Sequence, residues 1–148
     1  MRRDLLLLRE ALLDITGVLN RPQPDAVLMA RAGTDLDRAL LPLLVRVERR
    51  GPLAIGELAE LCGRDYSTVS RQIAKLEHLG LVMRVSAPDD ARVTHANITD
   101  KGRSITRAID KAREKLMGSL LSKWDRQEVA ELARLLRKFA DDALKFVS

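Results

Sequence analysis

The sequence predicts a mainly α-helical fold with one small β-hairpin, and three observations lead to that prediction. The 148 residues are 46% hydrophobic and 32% charged, a composition typical of one globular domain. Only 3% are aromatic, and apolar residues recur three and four positions apart over most of the chain. Residues 81–98 depart from this spacing, because apolar and polar residues alternate there around a turn.

Composition also excludes several classes of protein. The longest purely apolar run, residues 5–8, is far shorter than the roughly 18 residues that a bilayer span needs. No apolar signal-peptide core is present, so we expect a cytoplasmic protein without a membrane partner. One cysteine and two histidines exclude a disulfide scaffold and argue against a metal or other cofactor. We expect Cys62 to act as a buried small hydrophobic residue.

The net charge leaves two interpretations open. A formal charge of +5 is compatible with nucleic-acid binding, but a solvated helical surface gives the same balance. The excess is spread along the chain, so the placement of individual basic residues must decide between the two.

Two helices are predicted in the first third of the chain. The first covers about residues 4–18 and stops at the proline-containing segment 21–25. Its apolar stripe consists of Leu5, Leu8, Leu12, Ile15 and Leu19. The second is expected to begin after Thr34 as its N-cap and to end before Gly51, with a kink or break at Pro42.

A helix-turn-helix followed by a hairpin is predicted in the middle of the chain. A short helix over residues 55–62 leads through a turn at residues 63–65 into a longer helix over residues 66–79. Gly80 then ends that helix as a left-handed C-cap. The hairpin strands at residues 81–86 and 93–98 flank the turn sequence Pro88-Asp89-Asp90-Ala91.

Two long helices complete the chain. Thr99 or Asp100 caps the first of them, whose apolar positions recur up to Leu120. Asp125 and Glu128 have the spacing of a capping box and open the last helix.

The helix over residues 66–79 has two unlike sides. Val69, Ile73 and Leu76 fall on one side and are expected to pack. The other side carries Ser67, Thr68, Arg71, Lys75 and His78, and Ser70 and Gln72 flank Arg71. The candidate DNA-binding residues are Ser67, Thr68, Ser70, Arg71, Gln72 and Lys75. In a major groove, arginine pairs with guanine, glutamine with adenine, and serine or threonine with either. A merely solvated helix face is the alternative, and the helix-turn-helix and hairpin around it favour DNA binding.

The tip of the predicted hairpin carries a further basic residue whose position suggests a DNA contact. Arg92 follows Asp90, whose carboxylate could hold the guanidinium by an ion pair. The negative potential of a narrow groove attracts such a side chain, so Arg92 is a further candidate DNA contact. An exposed loop arginine usually has no specific partner, but this hairpin directly follows the candidate reading helix.

Several short motifs follow one another at specific spacings. They are Gly51-Pro52-Leu53, Gly56-Glu57-Leu58-Ala59, residues 65–71, Leu76-Glu77-His78-Leu79-Gly80-Leu81-Val82, Arg84, residues 88–92 and Thr99-Asp100-Lys101-Gly102. In this order they resemble the MarR family of bacterial winged-helix transcriptional regulators. The helices before and after agree with that family in length and order, so the resemblance extends over nearly the whole chain.

The resemblance implies an organisation and a set of partners. Within a single domain of residues 1–148, it implies a winged helix-turn-helix lobe over residues 34–99 and dimerisation helices over residues 1–20 and 100–148. The protein would be a homodimer on a pseudo-palindromic operator in double-stranded DNA, with Arg84 and Asp90 supporting the wing. A small organic effector would bind in the cleft between the dimerisation and DNA-binding regions.

The terminal helices support a dimer independently of the resemblance. Apolar residues such as Leu6, Leu13 and Leu135 lie outside a single stripe, so these helices have more apolar surface than one small lobe can cover. The predicted interface residues are Leu5, Leu8, Leu12, Leu136, Phe139 and Phe146. The alternative is that both helices fold back on their own lobe.

The sequence therefore predicts a sequence-specific DNA-binding transcriptional regulator, acting as a ligand-responsive repressor. The alternative is an architectural protein that coats DNA without choosing a sequence. An enzyme is not expected, because the chain has no glycine-rich phosphate loop, no nucleophile elbow and no histidine at a catalytic spacing.

Overall fold

The computed structural model describes the backbone of residues 1–148 and every side chain except that of Gln23. Helices account for most of the described chain, and three short strands form one sheet. The elements are α1 (Arg2–Leu19), α2 (Pro22–Ala32), a 3-10 turn (Arg38–Leu40), α3 (Leu41–Arg50), β1 (Leu53–Ala54), α4 (Ile55–Cys62), α5 (Tyr66–His78), β2 (Val82–Ser86), β3 (Thr94–Ile98), α6 (Asp100–Leu120) and α7 (Arg126–Val147). The predicted fold class is confirmed.

The proline-containing segment after α1 does more than interrupt a helix. Pro22 begins α2, an eleven-residue helix that the sequence did not predict. Proline suits this position because the first backbone N–H groups of a helix have no intrahelical acceptor. Gly33, with φ 71°, ends α2 in the left-handed region. α2 packs along α6 and thereby joins the N-terminal part of the chain to the long helix.

The prediction that Thr34 caps the next helix is wrong. The Thr34 hydroxyl oxygen accepts from the backbone N–H of Leu36 at 3.2 Å, and this local turn delays the helix. Asp37 instead caps the 3-10 turn by accepting from the Ala39 N–H at 3.0 Å. The predicted break at Pro42 is present, because α3 begins at Leu41 with the proline in its first turn.

The sheet has the antiparallel order β1-β3-β2. β2 and β3 form the predicted hairpin, whereas the two-residue strand β1 was not predicted and pairs Leu53 with Ala96. Leu81 and Val82 are both buried, while Met83 is 48% exposed. Strict alternation from Leu81 therefore fails, because Leu81 lies before the strand and β2 turns Val82 inward.

The core lies between α3, α4, α5 and the sheet. Val69, Ile73 and Leu76 of α5 have no exposed surface, as their common side predicts. They pack with Leu43, Leu44, Val47 and Leu58, which are equally buried. Burial of a leucine or isoleucine side chain contributes about 1.5–3 kcal/mol, so this cluster fixes the orientation of α5.

The terminal helices are not covered by their own lobe. α1 and α7 contain no buried residue among the described side chains, although both are rich in leucine. Within one chain, neither helix therefore fully buries an apolar side chain against the lobe. None of the described helices combines the length and apolar character that a membrane span needs.

Candidate nucleic-acid interface

The helix-turn-helix brings α4 and α5 together through a three-residue turn. Gly63 has φ 62°, a left-handed conformation that residues with a side chain rarely adopt, so the chain can reverse here directly after α4. Asp65 then lies at the N-cap of α5. The buried side of α5 faces the core, and the opposite edge, with Ser67, Arg71 and Lys75, is exposed.

Asp65 organises the first turn of α5, and the sequence analysis did not single it out. Its carboxylate accepts from the Ser67 hydroxyl at 2.6 Å, the Thr68 hydroxyl at 2.7 Å and the Thr68 N–H at 3.0 Å. These hydrogen bonds hold the pKa of the Asp65 carboxyl well below its usual range. Because both hydroxyls donate to Asp65, their oxygens can only accept from any further partner, and the Thr68 oxygen already accepts from Arg71.

Asp65→Ala is expected to lower the thermal stability of the protein, because α5 loses its N-cap acceptor. A carboxyl with a lowered folded-state pKa stabilises the fold above its unfolded pKa near 3.8, and that contribution is lost as pH falls further. The difference in melting temperature between wild type and variant should therefore be full at neutral pH and shrink below about pH 4. Melting followed by circular dichroism measures it.

Glu114→Ala, at an exposed position on α6, is the matched control and should leave the melting temperature unchanged at every pH. An Asp65→Ala difference that stayed constant down to about pH 2 would contradict the role of the ionised carboxylate.

The remaining candidate residues of α5 differ in accessibility. Arg71 is exposed, and its guanidinium donates to the Thr68 hydroxyl oxygen at 3.4 Å, a long and weak contact. Lys75 is exposed, and Ser70 is half-buried. Gln72 is also half-buried, and its side-chain oxygen already has a partner within the chain.

That partner is Arg64, a residue that the sequence analysis missed. One of its terminal nitrogens, Nη1, donates to the Gln72 side-chain oxygen at 3.0 Å and to the Ala39 carbonyl at 2.7 Å. The arginine thus connects the turn, α5 and the 3-10 turn. Ala39 lies 25 residues earlier in the chain, and no local sequence signal announces such a contact.

The hairpin of β2 and β3, which forms the wing, carries the predicted ion pair between Asp90 and Arg92. The Asp90 carboxylate accepts from the backbone N–H of Arg92 at 3.0 Å and from its Nε at 3.2 Å. These bonds lower the pKa of Asp90. The Arg92 side chain is still 91% exposed, so it remains accessible at the hairpin tip. Arg84 pairs with Glu77 at 3.3 Å and thereby ties β2 to α5.

The end of α5 is tied to the start of α6. The Thr99 hydroxyl donates to the Gly80 carbonyl at 2.6 Å, and Lys101 Nζ donates to the Leu79 carbonyl at 3.0 Å. Thr99 also caps α6 by accepting from the Gly102 N–H. Two side-chain hydrogen bonds therefore join the start of α6 to the C-terminal end of α5.

The predicted interface residues lie on open helix faces. Five of the six are exposed, namely Leu5, Leu8, Leu136, Phe139 and Phe146. The sixth, Leu12, is half-buried. Such a set of exposed apolar side chains on two helices exceeds the scattered apolar residues of an ordinary surface.

Cys62 and the titratable residues give no sign of a reactive or metal centre. Cys62 is half-buried against the core, and burial raises the pKa of its thiol, partly offset by Arg46 and Arg64. A raised pKa disfavours the reactive thiolate. No group of three His, Cys, Asp or Glu residues suited to a metal occurs among the described side chains.

Comparison with known proteins identifies the family of this chain. The MarR family model matches residues 36–94. The HTH-type transcriptional regulator YxaD of Bacillus subtilis is 36% identical over 70% of this chain and 73% of its own length. The transcriptional repressor MdtR of the same organism is 25% identical over 93% of this chain and 88% of its own length.

A solved structure has the same fold over almost the full length. A MarR family protein from Bacillus stearothermophilus superposes with a TM-score of 0.73, covering 97% of each chain at 24% identity. With the helix-turn-helix, the wing and these relatives in agreement, the chain belongs to the MarR family of DNA-binding transcriptional regulators.

Proposed function

We propose that this regulator is a homodimeric repressor that binds a pseudo-palindromic operator in double-stranded DNA and is released by a small organic effector. The observation that carries the proposal is the exposed edge of α5. There Asp65 holds the hydroxyls of Ser67 and Thr68 beside the accessible guanidinium of Arg71.

The edge of α5 has the chemistry that reads base pairs in a major groove. Arg71 can donate two parallel hydrogen bonds to guanine, and Lys75 supplies a charge for a phosphate. Ser67, Thr68 and Ser70 add short polar contacts at the start of the helix, whose free N–H groups favour a phosphate. Arg92 at the wing tip would enter the adjacent minor groove, where negative potential is concentrated.

The apolar faces of α1 and α7 support a homodimer built on these helices. Two copies of one chain bury the same faces against each other under two-fold symmetry. Symmetry then sets two α5 helices in successive major grooves, about 34–36 Å apart, which is the geometry that a pseudo-palindromic site requires.

A cavity beside α5 supports regulation by a small molecule. It has a volume of about 420 Å³ and lies between the segment before the 3-10 turn, the end of α5 and the start of α6. Its walls include Lys75, Leu79 and Lys101, so an occupant would touch both the reading helix and its tie to α6. An effector that fits only one spacing of the two lobes would shift the population away from the DNA-binding form.

Footprinting on the DNA that flanks the chain's own gene tests this proposal. With bulk DNA as competitor at fixed salt, a regulator should protect a discrete region with a preference of at least ~10³ over random duplex. Protection that spreads evenly over the fragment would instead support an architectural protein and overturn the proposal.

A further inference from the structure

We propose that Arg64 determines which hydrogen-bonding group Gln72 offers to DNA, and that it makes Gln72 a donor-only contact. The proposal rests on the proposed function, because it assumes that α5 enters the major groove. It assigns a specificity role to a residue in the turn that does not itself lie on the reading edge of α5.

The chemistry of arginine fixes the orientation of the Gln72 amide. The Arg64 guanidinium has only N–H donors, so the Gln72 atom that faces it at 3.0 Å must be the carbonyl oxygen. The reverse orientation would bring two sets of N–H donors together. The Gln72 nitrogen, with its two hydrogens, is therefore turned away from Arg64.

The Arg64 side chain is itself held in place. The same Nη1 donates to the Ala39 carbonyl at 2.7 Å, so its two hydrogens are both in use. Arg64 is half-buried, and hydrogen bonds from a charged donor are about twice as strong as neutral ones. Since the Arg64 backbone N–H donates to the Ala59 carbonyl at 3.0 Å and its guanidinium is bound to the 3-10 turn, Arg64 provides a rigid partner for Gln72.

This arrangement changes what Gln72 can recognise. Paired reading of adenine needs the amide oxygen to accept from N6 while the amide nitrogen donates to N7. Arg64 occupies one of the two lone pairs of the Gln72 oxygen and holds that oxygen against the turn. The nitrogen is then the group left to face DNA. Its target is a hydrogen-bond acceptor on a base edge, and this replaces the sequence-based expectation of a paired contact with adenine.

The test measures binding to the footprinted operator and to a series with each base pair changed. Wild type, Gln72→Met and Arg64→Met are compared by fluorescence anisotropy. We expect Gln72→Met to lose about fivefold to tenfold discrimination at one position, the value of one hydrogen bond. Arg64→Met should alter base preference at that same position, because the amide is then free to rotate. Melting curves verify that each variant is folded.

A second arm needs only the wild-type protein or a variant that keeps the Arg64 bond. If adenine occupies the base pair at which Gln72→Met loses discrimination, removing the adenine N6 amino group should leave operator affinity unchanged. Replacing that adenine by 7-deazaadenine, which lacks the N7 acceptor, should weaken binding. Gln72→Glu retains an acceptor for Arg64 but lacks donors, and should bind at least as weakly as Gln72→Met. Methylphosphonate substitution of the neighbouring phosphates should leave the effect of Gln72→Met unchanged, and an effect that disappears on substitution would show a phosphate contact and overturn the specificity role.

The outcomes separate this inference from the proposed function. Arg71→Ala is the reference, since its loss of discrimination tests major-groove reading by α5 itself. If Arg71→Ala loses specificity while Arg64→Met keeps the wild-type base preference, the role of Arg64 is wrong and the proposed function stands. If removing the adenine N6 amino group weakened operator binding as much as replacing N7 by carbon, the donor-only contact would also be overturned. If no variant changes specificity, both proposals fail.

Discussion

Arg71→Ala is expected to lower operator affinity by about 1–3 kcal/mol, roughly fivefold to 150-fold, and to abolish discrimination at one base pair. The Arg71 side chain is exposed, and its one hydrogen bond to a described residue is the 3.4 Å bond to the Thr68 hydroxyl oxygen. Breaking that weak bond costs little free energy. Nearly all of the free energy of the two hydrogen bonds from Arg71 to guanine therefore contributes to operator affinity. Fluorescence anisotropy with the operator and its single base-pair variants measures both effects.

Two arginine variants serve as comparisons for Arg71→Ala. Arg92→Ala should weaken binding to all sequences alike and reduce the salt dependence by about one counterion, because a wing-tip charge follows the backbone potential. Arg126→Ala, at an exposed position where α7 begins, should leave binding unchanged. If Arg71→Ala kept wild-type affinity and base preference, α5 would not be the reading helix in this orientation.

Leu136→Glu is expected to convert the protein to a monomer and to remove operator binding at concentrations where wild type saturates the site. Leu136 is 48% exposed within one chain, so burial of the exposed half in a dimer contributes about 0.7–1.5 kcal/mol in each copy. Symmetry doubles the loss, and a buried unpaired carboxylate adds to it, so the dimer should weaken by at least about 100-fold. Sedimentation velocity across a protein dilution series measures this.

Lys138→Glu is the matched control for Leu136→Glu, since it adds a carboxylate to an exposed polar position of the same helix. It should remain dimeric and fold normally. A Leu136→Glu protein that sedimented like wild type would show that the open face of α7 does not hold two copies together.

Local signals were sufficient to predict the helix-turn-helix and the wing. Gly63 and Gly80 take the left-handed conformations that end α4 and α5, and the spacing of Val69, Ile73 and Leu76 fixed the buried side of α5. The carboxylate of Asp90 two residues before Arg92 was enough to predict their ion pair. In each case the determining residues lie within one or two turns of one another, so their interaction is encoded locally.

Features that depend on distant partners were missed. Pro22 can end one helix or begin another, and the packing of α2 along α6 favours the second outcome. β1 has only two residues and exists because β3 pairs with it. The bonds from Arg64 to Ala39 and Gln72 join segments that only the tertiary fold brings together.

The spacing of protected bases in the operator footprint tests the central claim most directly, namely that two copies of the α5 edge read one duplex. The account predicts two protected half-sites related by a two-fold axis, with centres about 34–36 Å or 10 base pairs apart, bound by one dimer. Inserting five base pairs between them should abolish binding, because one half-site then faces the opposite side of the duplex. A single protected half-site bound by one chain, or binding that tolerates the insertion, would contradict the account.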